Sequence, residues 1–534
     1  MISQLNKSLG FLALVSLLFL LPFSCKKPTD GLVLTLNTDL SPVVYTFKVY
    51  DANPDNTLTE SELFNIQVTG KDANMIYTLN GTKNFKFVKG YLTVMVRPGV
   101  TPSSTKPLQF NIILRYKNYL KTTIPVFLSR PNKAVVEVPI INTLKPPKGV
   151  TVTNTTLTTN STSGQLDNEV KIKTPVDANK KESTEITFPK NTVFYDSKGN
   201  TVTGDINVQV VHFDNRNSSS LSSFPGGFNA SDVFNASNQS IGSGLFQTAG
   251  FVALEMSSQG TEVNSFSQPA TVSTSINSDL KDPSTNQPIK DGDKLPIWSF
   301  DSETGQWQSM DNSTVRYDPT SQQYYADFST YRRSWYNYDY FFRGCEFETS
   351  VKLSFTGVET FCRYQVEYEN NRFSYWYYSP SYFTDLYNNK IITLPRGLVA
   401  GENIRIRFFE ANSGEEIGVT PYFQSCYGMY DFSMESNNPN PVLEFSVYGR
   451  CPNTERIFRP SGYIYYKDAT STDWRVLGYM SNGFIRTPAL QQGQTYTVAT
   501  ENAGEWYSTD VTIDNDLTSA EVEWVLPEDY SGCK

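Results

Sequence analysis

Histidine is all but missing: the 534 residues contain one, His212. The commonest general base is therefore unavailable over almost the whole chain. His212 follows the apolar pair Val210-Val211, and no G-x-S-x-G elbow supplies a nucleophile for it to activate. The chain also lacks a G-x-G-x-x-G or G-x4-G-K-[ST] phosphate loop and an H-E-x-x-H zinc motif. No C-x2-C pair is present, which removes the usual cysteine zinc arrangement. Long Glu/Lys/Leu/Ala runs are missing, and with them long helices. Charge of one sign is not concentrated anywhere. The formal net charge is −9, without the basic stripe that nucleic acid demands. These absences exclude most enzyme classes and nucleic-acid binding, so no catalytic residue and no cofactor are expected.

Aromatic residues are abundant, with 32 Tyr and 34 Phe among a hydrophobic fraction of 39%. Together with plentiful Thr, Ser and Asn, they favour pleated surfaces over helices. Short β-rich runs alternate with Gly, Pro, Asn and Asp turns along the whole length. The expected class is all-β: tandem immunoglobulin-like β-sandwich domains behind an export signal.

That signal occupies residues 1–24. Lys7 is the only charge before an apolar stretch over 9–23, broken by Gly10 and Ser16 and ending in Ser24-Cys25-Lys26-Lys27. The stretch is shorter than the roughly 20 residues that span a bilayer, as a signal peptide should be. A small residue followed by cysteine resembles a bacterial lipobox, although Pro22 and Phe23 depart from its usual pattern. The resemblance implies lipidation of Cys25, and the surrounding residues are similar to lipoproteins of the Bacteroidota. It implies a location at the outer membrane, surface-exposed rather than periplasmic, with the lipid as the membrane attachment.

Beyond a tether at 25–30, residues 31–143 read as a first sandwich. Within it, Asp51, Asn53, Asp55 and Glu62 sit at positions 1, 3, 5 and 12 of an EF-hand-like spacing, with Asn56 where glycine is usual. Calcium is one reading of this loop; an Asp/Asn/Pro turn between strands is the favoured one. Residues 144–170, rich in Thr, Asn and Ser, read as a linker. Residues 171–342 carry Ile186-Thr187-Phe188-Pro189, Phe224-Pro225-Gly226-Gly227-Phe228, Trp298, Thr304-Gly305-Gln306-Trp307 and Trp335-Tyr336-Asn337 in that order. This series resembles a β-rich extracellular module of cartilage intermediate layer protein and its relatives, with one residue inserted in the last motif. It implies a scaffold or interaction module without catalytic residues. Trp298 and Trp307 flank a hairpin turn and are expected to pack in a core.

Residues 343–444 form an aromatic-rich β domain. Phe373, Tyr375, Trp376, Tyr377, Tyr378 and Tyr382 are its candidate recognition surface, because a strand buries only alternate side chains and some of these rings must face outward. Residues 445–534 form a small β-sandwich whose Leu490-to-Val498 segment is similar to carboxypeptidase-regulatory or transthyretin-like domains. In an exported chain the cysteines read as disulfides. Cys451 and Cys533 bracket the last unit and are expected to close it; pairing among Cys345, Cys362 and Cys426 stays open.

Three functions follow. The leading one is a non-enzymatic cell-envelope lipoprotein presenting interaction surfaces, as a scaffold or an accessory subunit of an outer-membrane assembly, with a membrane or cell-surface protein as partner. The second is a surface glycan-binding lipoprotein. The third is a hydrolase built on a pair of carboxylates, which needs no histidine.

Overall fold

Side chains that alternate between apolar and polar bury one face of a strand, and those apolar on both sides bury two. Both patterns are met in the computed structural model. It describes residues 35–37, 41–58, 64–176, 182–283, 285–345, 348–356, 360–369, 382–394, 397–411, 414–435, 442–452, 456–502, 505–526 and 528. Apart from a helical turn at Ser218–Leu221 and a 3-10 turn at Ala73–Met75, the elements among these residues are strands. The chain is all-β and built of tandem sandwiches.

The second unit packs two eight-stranded sheets face to face. One contains Asp205–Phe213, Ser240–Ser258 and Trp335–Arg343; the other contains Thr184–Phe188, Ser265–Ile276 and Gln323–Arg332. Ile206, Val208 and Val210 point between the sheets toward Ile186, Phe188 and Val272. Val211 and Phe213 point out of the same strand, into a second cluster with Phe224, Phe251 and Trp335. Burial on both faces is why Val208-Gln209-Val210-Val211-His212-Phe213 reads as one nearly continuous apolar run.

The expected linker is not one. Val150–Thr158 pairs residue for residue with Asp205–Phe213, from Val150 opposite Phe213 to Thr158 opposite Asp205. Val150, Leu157 and Leu166 are buried. Thr is β-branched, and one apolar residue in every few suffices for an edge strand. The second unit therefore begins near residue 150.

The first and third units are not separate sandwiches either. A nine-stranded sheet runs through both. Lys133–Ile140 of the first meets Tyr382–Leu386 of the third, with Tyr382 opposite Val136 and Phe383 opposite Val135. One face of this shared sheet carries two three-stranded sheets. The first unit supplies Asn65–Thr69, Leu108–Arg115 and Thr122–Leu128; the third supplies Lys390–Thr393, Ser350–Thr356 and Met429–Glu435. The other face is covered by the fourth unit, where Val44, Val135 and Phe383 pack with Tyr463, Tyr465 and Val476. The Tyr91 hydroxyl donates to the Trp474 carbonyl across this contact, at 3.1 Å. Thr35–Asn37 leaves the first unit altogether and pairs in parallel with Ile457–Arg459 of the fourth.

Candidate functional site

A concavity lies where the shared sheet is not fully roofed. A groove of about 910 Å³ runs between Thr122–Leu128 and Lys390–Thr393, the facing edges of the two three-stranded sheets. Its floor is the shared sheet, through Tyr45, Phe47, Val136, Tyr364 and Tyr382. One end is closed by Arg130, which pairs with Glu348 at 3.2 Å and donates to Ser350 at 3.2 Å. The second unit walls another side with Ser218 to Asp232, including Phe224-Pro225-Gly226. Asn132 donates to the Tyr45 hydroxyl at 3.2 Å, and burial raises the phenol above its ordinary value.

The wall is held in register by a turn. Asp301 to Gly305 projects from the second unit onto the outer face of the first. Thr123 Oγ1 donates to the Ser302 carbonyl at 2.6 Å, and Asn111 Nδ2 to the Thr304 carbonyl at 2.9 Å. Gly305 has φ of 70°, and a Cβ there would lie 2.3 Å from Asn111 Oδ1. Glu303 at the tip meets Lys121 at 2.5 Å and Arg115 at 2.9 Å. Glu262 lies 3.6 Å from each of those cations and also pairs with Arg333, which bonds Glu255 at 2.7 Å. Against partial burial, Lys121 and Arg115 hold the Glu303 carboxyl below its usual range. Burial raises that of Glu255 despite Arg333.

His212 sits in a chain that has the composition of a catalytic triad and none of its access. Its Nδ1 is 3.0 Å from Thr184 Oγ1, and its Nε2 lies 3.8 Å from Glu182 Oε2. Thr184 continues to Thr274 at 3.0 Å, and the Tyr338 hydroxyl donates to Thr274 at 2.8 Å. All of Thr184, Thr274, Tyr338 and His212 are buried between the two sheets, where no substrate reaches. The network orients a core histidine. A second buried polar group is Asp339, which accepts from Asn337 Nδ2 while its Oδ1 lacks a hydrogen-bond partner. Burial without a cation raises its carboxyl well above the ordinary value.

The residues singled out by sequence are scattered. Cys25, Glu62, Phe373, Tyr375, Trp376, Tyr377, Tyr378 and Cys533 lie outside the described residues. Tyr382 is half-buried and stacks on Tyr364 at 5.5 Å, on the groove floor. Cys345 and Cys426 form a disulfide with Cα atoms 5.1 Å apart. Cys362 is a free, buried thiol whose pKa is raised by burial. Cys451 is disulfide-bonded. In the calcium-like loop, Asp51 accepts from the Asn53 N–H at 2.9 Å, from Asn56 Nδ2 at 3.2 Å and from Tyr119 at 3.1 Å. Asn53 Oδ1 accepts the Asp55 N–H at 3.1 Å, so these oxygens serve consecutive Asx-type turns. Among the described residues, no three His, Cys, Asp or Glu side chains converge as a metal site.

Trp298 and Trp307 are core residues, as expected. Trp298 Nε1 donates to the Asp339 carbonyl at 3.0 Å, and Trp307 stacks on Phe224 at 5.0 Å. The landmarks Phe224, Phe228, Trp298, Trp307 and Trp335 thus converge on a single aromatic cluster around Phe246 and Phe251. Two exposed aromatic rings escaped sequence reading. Tyr427 is 74% exposed and Tyr422 37%, with Arg405 4.8 Å over the Tyr422 ring. The spacing Tyr422, Cys426, Tyr427 was a usable signal: a cysteine that pins a turn also fixes the ring next to it.

No family model matches the chain, nor does any curated protein sequence. Among solved structures, the chain is similar over 34% of its length to the minor pilin GBS52 of Streptococcus agalactiae, covering 97% of that chain at 12% identity and a TM-score of 0.13. The shaft pilin SpaA of Lactobacillus rhamnosus GG is matched over 34% of this chain and all of that one, at 9% identity and a TM-score of 0.16. A leucine-rich repeat protein of Bacteroides thetaiotaomicron is matched over 34% of this chain and 27% of that one, at 13% identity and 0.12. TM-scores of this size place none of them on a shared whole-chain fold.

Proposed function

We propose that the chain is a non-enzymatic, lipid-anchored cell-envelope protein that presents interaction surfaces, as a scaffold or accessory subunit of an outer-membrane assembly. The observation that carries this reading is the cross-bracing of its units. A sheet shared by the first and third units, a fourth unit packed on the back of that sheet, and an ion-paired turn from the second make a braced array. Such an array holds surfaces at fixed separations, which a scaffold requires and a string of independent sandwiches does not provide. The anchor belongs to Cys25. Cys25→Ala is expected to move the protein from the membrane fraction to the soluble fraction, and protease shaving of intact cells is expected to cleave the wild type. Retention of the variant in the membrane, or crosslinking in cells that recovers no envelope protein, overturns the reading.

Glycan binding is the second reading, and the exposed rings of Tyr427 and of Tyr422, the latter under Arg405, are the observation that favours it, since an exposed aromatic ring stacks on sugar rings. Tyr422→Ala with Tyr427→Ala abolishes retention on a glycan array if this reading holds; unchanged retention removes it.

A further inference from the structure

Buried polar atoms are nearly always hydrogen-bonded, so several exceptions in one place call for a cause. Three meet at one end of the second unit's sandwich. Thr151 Oγ1, Glu182 Oε2 and His212 Nε2 are all buried, and among the described residues none has a hydrogen-bond partner. The three residues are 4%, 8% and 1% exposed. Register sets Thr151 directly opposite His212. Side chains paired in this way stand on one face of the sheet, with Cβ atoms about 4.5–5.5 Å apart. Glu182 approaches from the other sheet, two residues before Thr184, and brings Oε2 to 3.8 Å from Nε2. That spacing is too long for a direct hydrogen bond. The other Glu182 oxygen is taken by Arg216 at 3.1 Å.

The direction of the hydrogens along the buried chain decides what fits between these atoms. The Tyr338 hydroxyl donates to Thr274 Oγ1 at 2.8 Å. Thr274 Oγ1 lies 3.0 Å from Thr184 Oγ1, which lies 3.0 Å from His212 Nδ1. A hydroxyl carries one hydrogen. Thr274 accepts from Tyr338 and so gives its hydrogen to Thr184, and Thr184 gives its own to Nδ1. Nδ1 is therefore an acceptor, and the ring hydrogen sits on Nε2. The three open atoms are then an N–H donor, a carboxylate acceptor and a hydroxyl able to do either. A metal cation would need the Nε2 lone pair, which that hydrogen occupies. An anion would meet the Glu182 carboxylate. We propose that this is a binding site for one structural water, which accepts from His212 Nε2–H, donates to Glu182 Oε2 and completes its shell on Thr151 Oγ1. Two hydrogen bonds of about 2.8 Å each span the 3.8 Å between Nε2 and Oε2. Three partners are the usual number for a buried water. The water joins Val150–Thr158 and Asp205–Phe213 of one sheet to the residues leading into Thr184–Phe188 of the other. The assignment goes beyond the scaffold reading and depends on neither anchor nor partner.

A single histidine makes the test specific, because every imidazole signal of the full chain belongs to His212. The chain is purified with isotope-labelled histidine, and long-range proton–nitrogen correlation should show one ring with its hydrogen on Nε2. The two ring C–H protons that flank Nε2 should give rotating-frame Overhauser cross-peaks to water with the sign of a long-lived bound molecule. Thr151→Val should weaken those cross-peaks by roughly half or more, since one of three partners is lost, whereas Thr151→Ser should keep them. Both variants should retain the backbone amide spectrum of the wild type. A crystal structure of the chain should show one oxygen within hydrogen-bond distance of all three atoms. A hydrogen on Nδ1 in the wild type would overturn the proposal, and so would an anomalous-scattering peak at the site, which would identify a metal. Direct contact of Nε2 with Oε2 and no cross-peak to water would overturn it as well. Cross-peaks undiminished in Thr151→Val would remove Thr151 from the site and with it the three-point assignment.

Discussion

The second unit and the shared-sheet region are made from the same kinds of residue and end in opposite states. In the second unit, eight strands face eight, and the outer face of one sheet is buried again under Phe224, Phe228 and the tryptophans. In the shared-sheet region, nine strands face two groups of three, with a groove between them. The difference is completeness of layers. A closed layer satisfies its backbone internally, whereas an interrupted one leaves edge groups whose satisfaction depends on something else. The second unit is the more completely layered part of the molecule, and the shared-sheet region the more open one.

The comparison can be broken most forcefully at the centre of the closed unit. Phe251 is fully buried and stacks at 4.3 Å on Phe213. Phe251→Ala is expected to cost about 3–5 kcal/mol, read by chemical denaturation as loss of the second unit's transition. Next in size, Cys345→Ser with Cys426→Ser opens a loop of 81 residues and should destabilise the third unit by roughly 2–5 kcal/mol, leaving the second unit's transition in place. Gly305→Ala strains a left-handed turn and drives a methyl into Asn111; a loss of about 1–3 kcal/mol is expected. Its signature is faster exchange at Thr123 and Asn111, on the face where the two regions meet.

Asp339 sharpens the comparison by pH. Its folded-state carboxyl is raised, so the neutral form belongs to the native state while the unfolded chain ionises near pH 4. Below that pH the group costs nothing. As pH rises through and beyond it, the unfolded state is favoured and stability is lost. Asp339→Asn should therefore raise the second unit's stability at pH 7 by roughly 1–3 kcal/mol and flatten its pH dependence. In the first unit, Asp51→Ala removes three hydrogen bonds accepted by a buried carboxylate beside an exposed turn and should cost about 1–3 kcal/mol, seen as a shift in that unit's midpoint.

Sequence made the class and many of the strands legible, because period-2 alternation and turn residues are local signals. It also made legible part of the aromatic core of the second unit, since Trp298 and Trp307 flank a hairpin turn and were expected to pack across it. It failed where pairing was distant. Nothing in Thr151-Val152-Thr153-Asn154 announces a partner at Gln209 to His212, about 55–60 residues on, so a strand with few apolar residues read as a linker. The junction of Tyr382 with Val136 joins residues almost half the chain apart, and no local pattern encodes it. The groove was illegible for the same reason. It is defined by what two distant edges leave between them, and only its floor residue Tyr382 had been marked, for a different surface.

The parallel pairing of Thr35–Asn37 with Ile457–Arg459 bears on how the molecule carries load. A pull along the chain at residue 35 is met first in the fourth unit, by backbone bonds that must slide past one another together instead of opening in turn. Tension entering there spreads through the strand Leu443–Arg450, which Ile457–Arg459 joins, and reaches the sandwich behind the shared sheet before it reaches the groove. Tugging at the leading end thus strains the rear of the molecule and spares the cleft.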